Sequence, residues 1–294
     1  MNIRKLTLAL FFTSLGFILL SCTGKQEKKR MVSVSILPQQ YFVERIAGDY
    51  VKVNVMIPPG MNPATCDLIT EQLKNLYDSD IYFAIGYLPF ETSHLYPVLE
   101  GQKNIRLIKH SDGLDLIEGS CSHSHTHSHP HEEGVDPHVW LSPLYARQIA
   151  REITEVLSEK YPEQKDTFET NYRKLEKDIE GIARQAREIL ATKKHKAFLI
   201  YHPALTYFAR DYGLEQISIE DEGKEPHPAH LKEIIDTVRQ KGIHLIFIQN
   251  QFDISNAEAI AQETGSKVIP IDPLSPDWLT EMQKLIRLLD ENLQ

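Results

Sequence analysis

Apolar residues in the first half of the chain form short runs of the kind buried in strands, separated by stretches with helical spacing. In chain order the stretches are strand-like at 32–37, helical at 40–47, strand-like at 51–57, helical at 68–77 and strand-like at 81–85. This alternation is typical of a parallel sheet covered by helices. We therefore predict an α/β lobe at 31–140.

The same alternation returns in the second half and predicts another α/β lobe at 193–294. The stretches, strand-like and helical in turn, lie at 197–201, 204–212, 216–219, 229–241 and 243–248, with a last strand-like run at 267–271. Local detail recurs as well, because a proline and an aromatic pair follow the first strand of each half, at 38–42 and 203–208. Two similar lobes are predicted, and a chance likeness of two βα units is the alternative.

A helical connection at 141–192 is predicted to join the lobes. Leu141-Ser142-Pro143 combines an N-cap serine with a proline at the first helical position. A second helix is expected from Pro162 to Leu190, where apolar residues recur every three or four positions. At about 1.5 Å per residue it forms a rod of about 40 Å, and a stiff rod limits how far two lobes can close.

The first 21 residues have the layout of an export signal. Arg4 and Lys5 precede an apolar run at 6–20, which is shorter than the roughly 20 residues that a membrane-spanning helix needs. Leu19-Leu20-Ser21-Cys22 resembles the lipobox of bacterial lipoproteins, which implies a lipidated Cys22. An ordinary secretory signal is the alternative. With a flexible tether at 22–30, we expect a membrane-anchored lipoprotein of the periplasm or cell envelope.

Composition narrows the possible partners. The chain has 294 residues, of which 41% are hydrophobic and 25% charged, and its formal net charge is −9. An acidic protein of this kind is not expected to bind nucleic acid but tolerates cations. We expect a monomer. Cys66 and Cys121 could form one disulfide after export, although two cysteines do not define a disulfide framework.

Histidine is the unusual residue type in the composition. Of the 13 histidines, five stand at alternate positions, namely His123, His125, His127, His129 and His131. The polar tract at 122–131 has nothing to bury, so a flexible loop is predicted. Neutral imidazole is a good ligand for zinc, copper and nickel. We expect weak, auxiliary metal binding by this loop, and a solvated linker is the alternative.

Three further residues are candidates for a more specific metal site. His138 stands between a predicted rigid turn and the capped helix at Pro143, and His202 follows the strand-like run at 197–201. Asp272 follows the last strand-like run. Open α/β sheets place their ligands at the carboxyl ends of strands, which is where these residues fall. Structural roles, in a turn or a hydrogen bond, are the alternative for each residue taken alone.

At these positions the chain resembles the metal-binding lipoproteins that serve zinc and manganese ABC importers. The matching segments are Asp136-Pro137-His138-Val139-Trp140-Leu141-Ser142-Pro143, then His202 ahead of Tyr207-Phe208 and Tyr212-Gly213-Leu214, and finally Ile271-Asp272-Pro273-Leu274. The resemblance covers nearly the whole chain from Met31 and implies two lobes with a metal cleft between them. It implies that His138, His202 and Asp272 bind the metal. The histidine-rich loop is similar to that of the zinc-handling members.

One position departs from the family pattern. The family carries Pro-His after a glycine-containing turn, whereas Pro63 is followed here by Ala64, whose methyl group cannot bind a cation. Either water completes a three-residue site or another residue fills in. The candidates are Cys66, Glu91, His227, His230 and a histidine of the loop, and no argument from the residues singles out one.

These observations favour a non-catalytic receptor that captures Zn²⁺ and delivers it to an ABC permease of the inner membrane. Two imidazoles with one carboxylate suit zinc, and nitrogen-rich sites favour the later divalent metals over Mn²⁺. A zinc hydrolase is one alternative, since the same ligands with an open water position describe catalytic zinc. A surface lipoprotein that buffers metal through its loop alone, with a degenerate cleft, is another.

Overall fold

The computed structural model describes residues 30–118, 134–221 and 223–293. The predicted signal segment, Cys22, most of the tether, Cys121 and the five histidines of the 122–131 tract lie outside these ranges. In the described ranges, no helix has the length and apolar content needed to cross a membrane.

The first lobe is a parallel sheet of four strands with order β2-β1-β3-β4. The strands are β1 (Met31–Val34), β2 (Lys52–Val55), β3 (Ile81–Ala84) and β4 (Arg106–Lys109). Its helices are α1 (Leu37–Ala47), α2 (Thr70–Tyr77) and the single turn α3 (Tyr96–Leu99), which continues a π-helical turn at Glu91–Leu95. Strands β1 and β3 are buried along their whole length, as their apolar runs predict.

The second lobe repeats this topology with a parallel sheet of order β6-β5-β7-β8. The strands are β5 (Ala197–Ile200), β6 (Glu215–Ser218), β7 (Leu245–Gln249) and β8 (Lys267–Ile271). Two helices, α4 (Pro143–Lys160) and α5 (Lys165–Leu190), form the connection between the lobes. The helices of the second lobe are α6 (Thr206–Tyr212), α7 (Pro228–Lys241), α8 (Ser255–Thr264) and α9 (Trp278–Asn292). The identical strand order confirms the prediction of two similar lobes.

Helix α5 is the predicted rod, and it begins at Lys165 because Pro162–Gln164 form a separate 3-10 turn. Its 26 residues span about 39 Å at about 1.5 Å each. The predicted apolar face is buried, at Phe168, Tyr172, Leu175, Ile179, Ile182 and Ala186. Helix α5 packs against α4, against α1 of the first lobe and against α9. One helix therefore supports both lobes.

Two buried tryptophans connect the lobes near the base of the space between them. The indole Nε1 of Trp140 donates to the carbonyl oxygen of Pro273 over 2.8 Å, and that of Trp278 donates to the carbonyl oxygen of Trp140 over 2.8 Å. The Trp278 ring also packs on Phe42 of α1, with ring centroids 5.4 Å apart. Buried indoles with satisfied N–H groups hold their neighbours in fixed positions.

Ser142 caps α4 and links it to the second lobe. Its Oγ accepts from the backbone N–H of Tyr145 over 3.2 Å and donates to Asp211 Oδ2 over 2.5 Å. We expect Ser142→Ala to lower the free energy of unfolding by about 1–2 kcal/mol, because a helix cap and a hydrogen bond to a charged group are both lost. Urea denaturation measures the change.

Ser158→Ala is the matched control, because Ser158 lies buried on the same helix and its Oγ has no hydrogen-bond partner among the described residues. Removing an unpartnered hydroxyl is expected to be neutral or stabilising. Equal losses for the two variants would show that the cap contributes nothing specific.

Candidate metal centre

A cleft of about 840 Å³ lies between the lobes. The first lobe contributes residues 62–65 and several of 86–96, and the second contributes His202, residues that follow β7 and residues that follow β8. In each sheet the second strand of the lobe lies on one side of the first strand, and the third strand lies on its other side. The strand order therefore switches sides between β1 and β3 and between β5 and β7. Open α/β sheets form ligand crevices at the carboxyl ends of strands at this point.

The structure brings His138 and His202 together in the cleft. Their Nε2 atoms lie 3.2 Å apart, and their ring centroids are separated by 5.0 Å. His138 precedes the 3-10 turn Val139–Leu141, and His202 lies two residues beyond β5. The residues are 64 positions apart in the chain, so only the folded lobes can make this pair.

A buried carboxylate holds the other nitrogen of each imidazole. Asp136 Oδ1 lies 2.8 Å from His138 Nδ1, and Glu220 Oε1 lies 2.8 Å from His202 Nδ1. An ionised carboxylate only accepts, so each Nδ1 carries a hydrogen, and the Nε2 atom is the one left to bind a metal ion. This arrangement orients imidazoles that bind metals.

Local contacts keep both carboxylate–imidazole pairs in place. The backbone N–H of His138 also donates to Asp136 Oδ1, over 2.8 Å. Burial by itself would raise the pKa of the Asp136 carboxyl, but attraction to a protonated His138, together with hydrogen bonds from His138 and Thr206, outweighs burial and lowers that pKa. Glu220 is 5% exposed and follows β6, the strand that pairs with β5. Both rings are therefore fixed before any ligand arrives.

Gln249, the last residue of β7, fixes the backbone of His202. Its Nε2 donates to the His202 carbonyl oxygen over 2.6 Å, and its Oε1 accepts from the His202 N–H over 3.3 Å. The Phe252 ring stacks on the His202 imidazole with centroids 5.4 Å apart, and Trp140 lies 5.2 Å from His138 by the same measure. The site is rigid on the side of the second lobe.

Sequence reasoning did not assign roles to Asp136, Glu220 or Gln249. Asp136 could have been identified from the sequence, because an acid two residues before a candidate histidine is a local signal. Glu220 and Gln249 carry no such signal, since they meet His202 only through strand pairing.

Asp272 follows β8, as predicted, but does not contact the histidine pair. Its Oδ1 accepts from the backbone N–H of Leu274 over 3.1 Å, and burial raises the pKa of its carboxyl. In the three described ranges, no three His, Cys, Asp or Glu side chains form a group that could hold a metal ion. The structure thus brings two of the three predicted residues together, and the part of Asp272 stays a prediction.

Ala64 lies on the first-lobe wall of the cleft with its methyl group exposed. Asn62 shapes this wall, because its Oδ1 accepts from the Ala64 N–H over 2.8 Å. Cys66, two residues further on, is buried in the core, where burial raises the pKa of its thiol. Cys66, Glu91, His227 and His230 are not among the described residues that line the cleft.

Glu91 belongs instead to a polar network inside the first lobe. Its carboxylate is fully buried and accepts from the N–H groups of Ile85 (2.7 Å) and Gly86 (2.6 Å) and from the hydroxyl of Ser35. Burial raises the pKa of the Glu91 carboxyl against the lowering effect of these hydrogen bonds. Glu91 therefore occupies the strand-end crevice that the second lobe uses for His202.

His227 and His230 lie at the start of α7, away from the histidine pair. The Nδ1 of His227 accepts from the N–H of His230 over 3.2 Å, and its Nε2 lies 3.4 Å from Asp221 Oδ2. The first contact is a helix cap and the second an approach to a carboxylate, so both nitrogens of His227 have partners.

Two similar α/β lobes on a rigid helical support, with a ligand-sized cleft at their strand ends, define a two-lobed binding protein. Residues 32–294 match the family described as ZnuA, zinc-uptake complex component A periplasmic, and the chain belongs to this family. The resemblance drawn from the sequence is thereby confirmed.

Individual relatives agree with this assignment. The chain is 27% identical over 293 residues to the zinc-binding lipoprotein AdcA of Streptococcus pneumoniae serotype 4, a match that covers 95% of this chain and 58% of AdcA. It is 26% identical over 280 residues to the high-affinity zinc uptake system protein ZnuA of Bacillus subtilis, which covers 92% of this chain and 86% of that protein. The chain thus spans 58% of the length of AdcA.

Solved structures give the same fold. The crystal structure of a ZnuA superposes with a TM-score of 0.81 at 34% identity and covers 90% of this chain and 98% of that chain. A ZnuA deletion mutant described as zinc-bound superposes with a TM-score of 0.80 at 34% identity. The predicted architecture of two lobes and a long connecting helix is confirmed.

Proposed function

We propose that this chain captures Zn²⁺ in the cleft between its lobes and delivers it to an ABC-type importer. The observation that carries the proposal is the pair of Nε2 atoms 3.2 Å apart on imidazoles whose Nδ1 atoms both face buried carboxylates. Two lone pairs at this distance repel each other unless a proton or a metal ion lies between them. Zinc-binding relatives support zinc as the ion.

The spacing of the two nitrogens suits zinc. Zinc–imidazole bonds are about 2.0 to 2.1 Å long, so two such bonds that span 3.2 Å enclose an angle of roughly 100–106°. That angle is close to the tetrahedral angle that four-coordinate zinc prefers. Imidazole ligands also favour zinc over Mn²⁺.

We assign His138 and His202 as ligands and Asp272 as the carboxylate ligand of this ion. Asp272 is half-buried at the end of β8, and its neighbours Pro273 and Leu274 line the cleft. Burial raises the pKa of the Asp272 carboxyl against the lowering effect of the Leu274 N–H, and a divalent cation would relieve the remaining penalty on its ionised form. The histidines of the 122–131 tract are proposed to collect metal ahead of the cleft.

The cellular setting of the proposal follows the relatives. AdcA is named a lipoprotein and the Bacillus protein a zinc uptake system protein, which supports an extracytoplasmic receptor that is anchored through Cys22 and docks on a membrane permease. The monomer predicted from the sequence is part of the same proposal. We propose the domain boundaries predicted from the sequence, with lobes at 31–140 and 193–294 and the helical connection at 141–192.

The protein is proposed to have no catalytic activity. Both carboxylates that contact the histidines are bonded to Nδ1 atoms, where they orient ligands rather than activate water. Turnover of ester, peptide or phosphate substrates by the zinc-loaded chain would contradict this assignment.

Zinc titration of the purified mature chain, in competition with a chromophoric chelator, tests the proposal. A tight site with one zinc per chain is expected to survive deletion of residues 122–131, because the ligands assigned here lie outside that tract. Loss of all tight binding on this deletion would instead support a buffer that works through the loop alone.

Asp136→Asn is expected to weaken zinc binding by about 10- to 100-fold, because an amide can present its N–H₂ group to Nδ1 and release the imidazole from its orientation. Competition titration measures the change. Asp49→Asn, an exposed acid on the Gly48–Tyr50 turn, is the matched control and should bind zinc normally. Equal affinities for the two variants would remove Asp136 from the site.

A further inference from the structure

The cleft is far larger than a single metal ion requires. Its volume of about 840 Å³ falls in the range of about 300 to 1,000 Å³ that is typical of pockets for small organic molecules. Much of its lining is apolar or aromatic and includes Leu88, Pro89, Tyr96, Trp140 and Phe252. An apolar lining with a few fixed polar groups is suited to an organic ligand.

One wall of the cleft carries a positive charge. Lys109, the last residue of β4, lines the cleft with its Nζ 4.7 Å from the centroid of the Tyr96 ring. Tyr96 is itself fixed, because its hydroxyl donates to the Gly86 carbonyl oxygen over 2.9 Å. Among the described residues, no carboxylate lies within ion-pair distance of Lys109.

An ammonium group in the same cleft disfavours a bare divalent cation, because like charges repel. The same group is well suited to the carboxylate of a ligand that accompanies the cation. The acids of the site do not replace such a ligand, since Asp136 and Glu220 lie behind the imidazoles on their Nδ1 atoms.

The coordination of the ion is also incomplete. Even with Asp272 added to His138 and His202, the residues that the structure describes supply three donors, whereas zinc takes four. Ala64, on the first-lobe wall, presents a methyl group and no donor atom. The fourth donor that the described residues lack and the ammonium of Lys109, which has no carboxylate partner among them, are independent observations, and one small ligand with a donor atom and a carboxylate would answer both.

We propose that zinc enters this cleft as a complex with a small α-amino carboxylate. One donor atom of this ligand completes the four-fold coordination of the ion, its carboxylate lies against Lys109, and its carbon skeleton packs on the aromatic lining. This inference rests on the proposed function and specifies the form in which the ion is captured.

Equilibrium dialysis of radiolabelled L-histidine against the purified mature chain, with and without one equivalent of zinc, tests the proposal. We expect retention of about one L-histidine per chain that depends on zinc. Lys109→Gln should weaken this retention about tenfold, the value of one charge-assisted contact. Lys103→Gln, an exposed lysine in the same lobe, is the matched control and should retain the ligand normally.

L-Histidinol, which has a hydroxymethyl group in place of the carboxylate, is the second probe. It should bind the zinc-loaded chain about tenfold less tightly than L-histidine, and the difference should vanish in Lys109→Gln. Ala64→His should raise the affinity for zinc alone and abolish retention of L-histidine, because it supplies the missing donor. Ala64→Leu adds similar bulk without a nitrogen and should not raise the affinity for zinc.

The outcomes separate this inference from the function on which it rests. Tight zinc binding without retention of L-histidine would contradict the capture of zinc as a complex, but it would leave the proposed function of zinc capture intact. Retention that is equal in the parent chain and Lys109→Gln would also overturn it. If zinc does not bind the cleft with or without L-histidine, the proposed function fails together with the inference.

Discussion

Replacing His202 with alanine is expected to lower the affinity for zinc by a factor on the order of 10²–10³, with the fold intact. The substitution removes one of the few ligands of the ion. Structural zinc sites bind with a total free energy of roughly 10–16 kcal/mol, so the loss of one ligand is expected to cost a fraction of that amount. The fold should persist because Gln249 bonds the backbone of residue 202, which the substitution leaves unchanged. Competition titration gives the affinity, and circular dichroism verifies the fold.

His244→Ala is the matched control for this prediction, since His244 is exposed just before β7. It should bind zinc with the affinity of the parent chain. His138→Ala should match His202→Ala, because the two imidazoles face each other across one site. If His202→Ala still bound one zinc with unchanged affinity, the site would have to lie elsewhere in the chain.

Replacing Gly86 with alanine is expected to reduce the free energy of unfolding by about 3–5 kcal/mol. Gly86 has a φ of +128°, a conformation that side chains disfavour, and an added Cβ would lie 1.9 Å from Ser111 Oγ and 2.8 Å from Ser111 Cβ. The backbone cannot easily retreat, because the Gly86 N–H donates to Glu91 Oε2 and its carbonyl oxygen accepts from Tyr96. Guanidinium denaturation measures the loss.

Gly181→Ala is the control, because Gly181 lies within α5 and its added Cβ would meet nothing within 4 Å. In a helix this change should stabilise by about 0.5–1 kcal/mol. Adding Ser111→Ala to Gly86→Ala should recover only part of the loss, since the Cβ contact remains. If Gly86→Ala were as stable as the parent chain, the backbone at residue 86 would have to move away from Ser111 despite its hydrogen bonds to Glu91 and Tyr96.

Pattern reasoning located every strand except β4, including the edge strands β2, β6 and β8. Strands β1, β3, β5 and β7 are buried and apolar throughout or nearly so, so their runs stand out in the sequence. Strand β4 was missed because its two apolar residues are flanked by Arg106 and Lys109 and no longer apolar run forms. Helix α9 was also missed, although its buried positions follow helical spacing.

The candidate site divides in the same way. His138 and His202 were identified as single residues at element ends, and the fold places their Nε2 atoms 3.2 Å apart. Asp272 was identified on similar grounds and lies beside the cleft with its carboxylate hydrogen-bonded to the Leu274 N–H. Glu91 was a reasonable candidate ligand by position, but its carboxylate is buried within the first lobe.

The sequence by itself determined the two α/β lobes, the long helix between them, the family and the two central histidines. These features depend on periodicity and on short motifs, which are local properties of a chain. Only the tertiary structure decided which carboxylates hold the imidazoles, that Lys109 faces the cleft and that Glu91 does not. Those outcomes depend on strand order and on the packing of residues far apart in the chain, because Glu220 reaches His202 only when β6 pairs with β5.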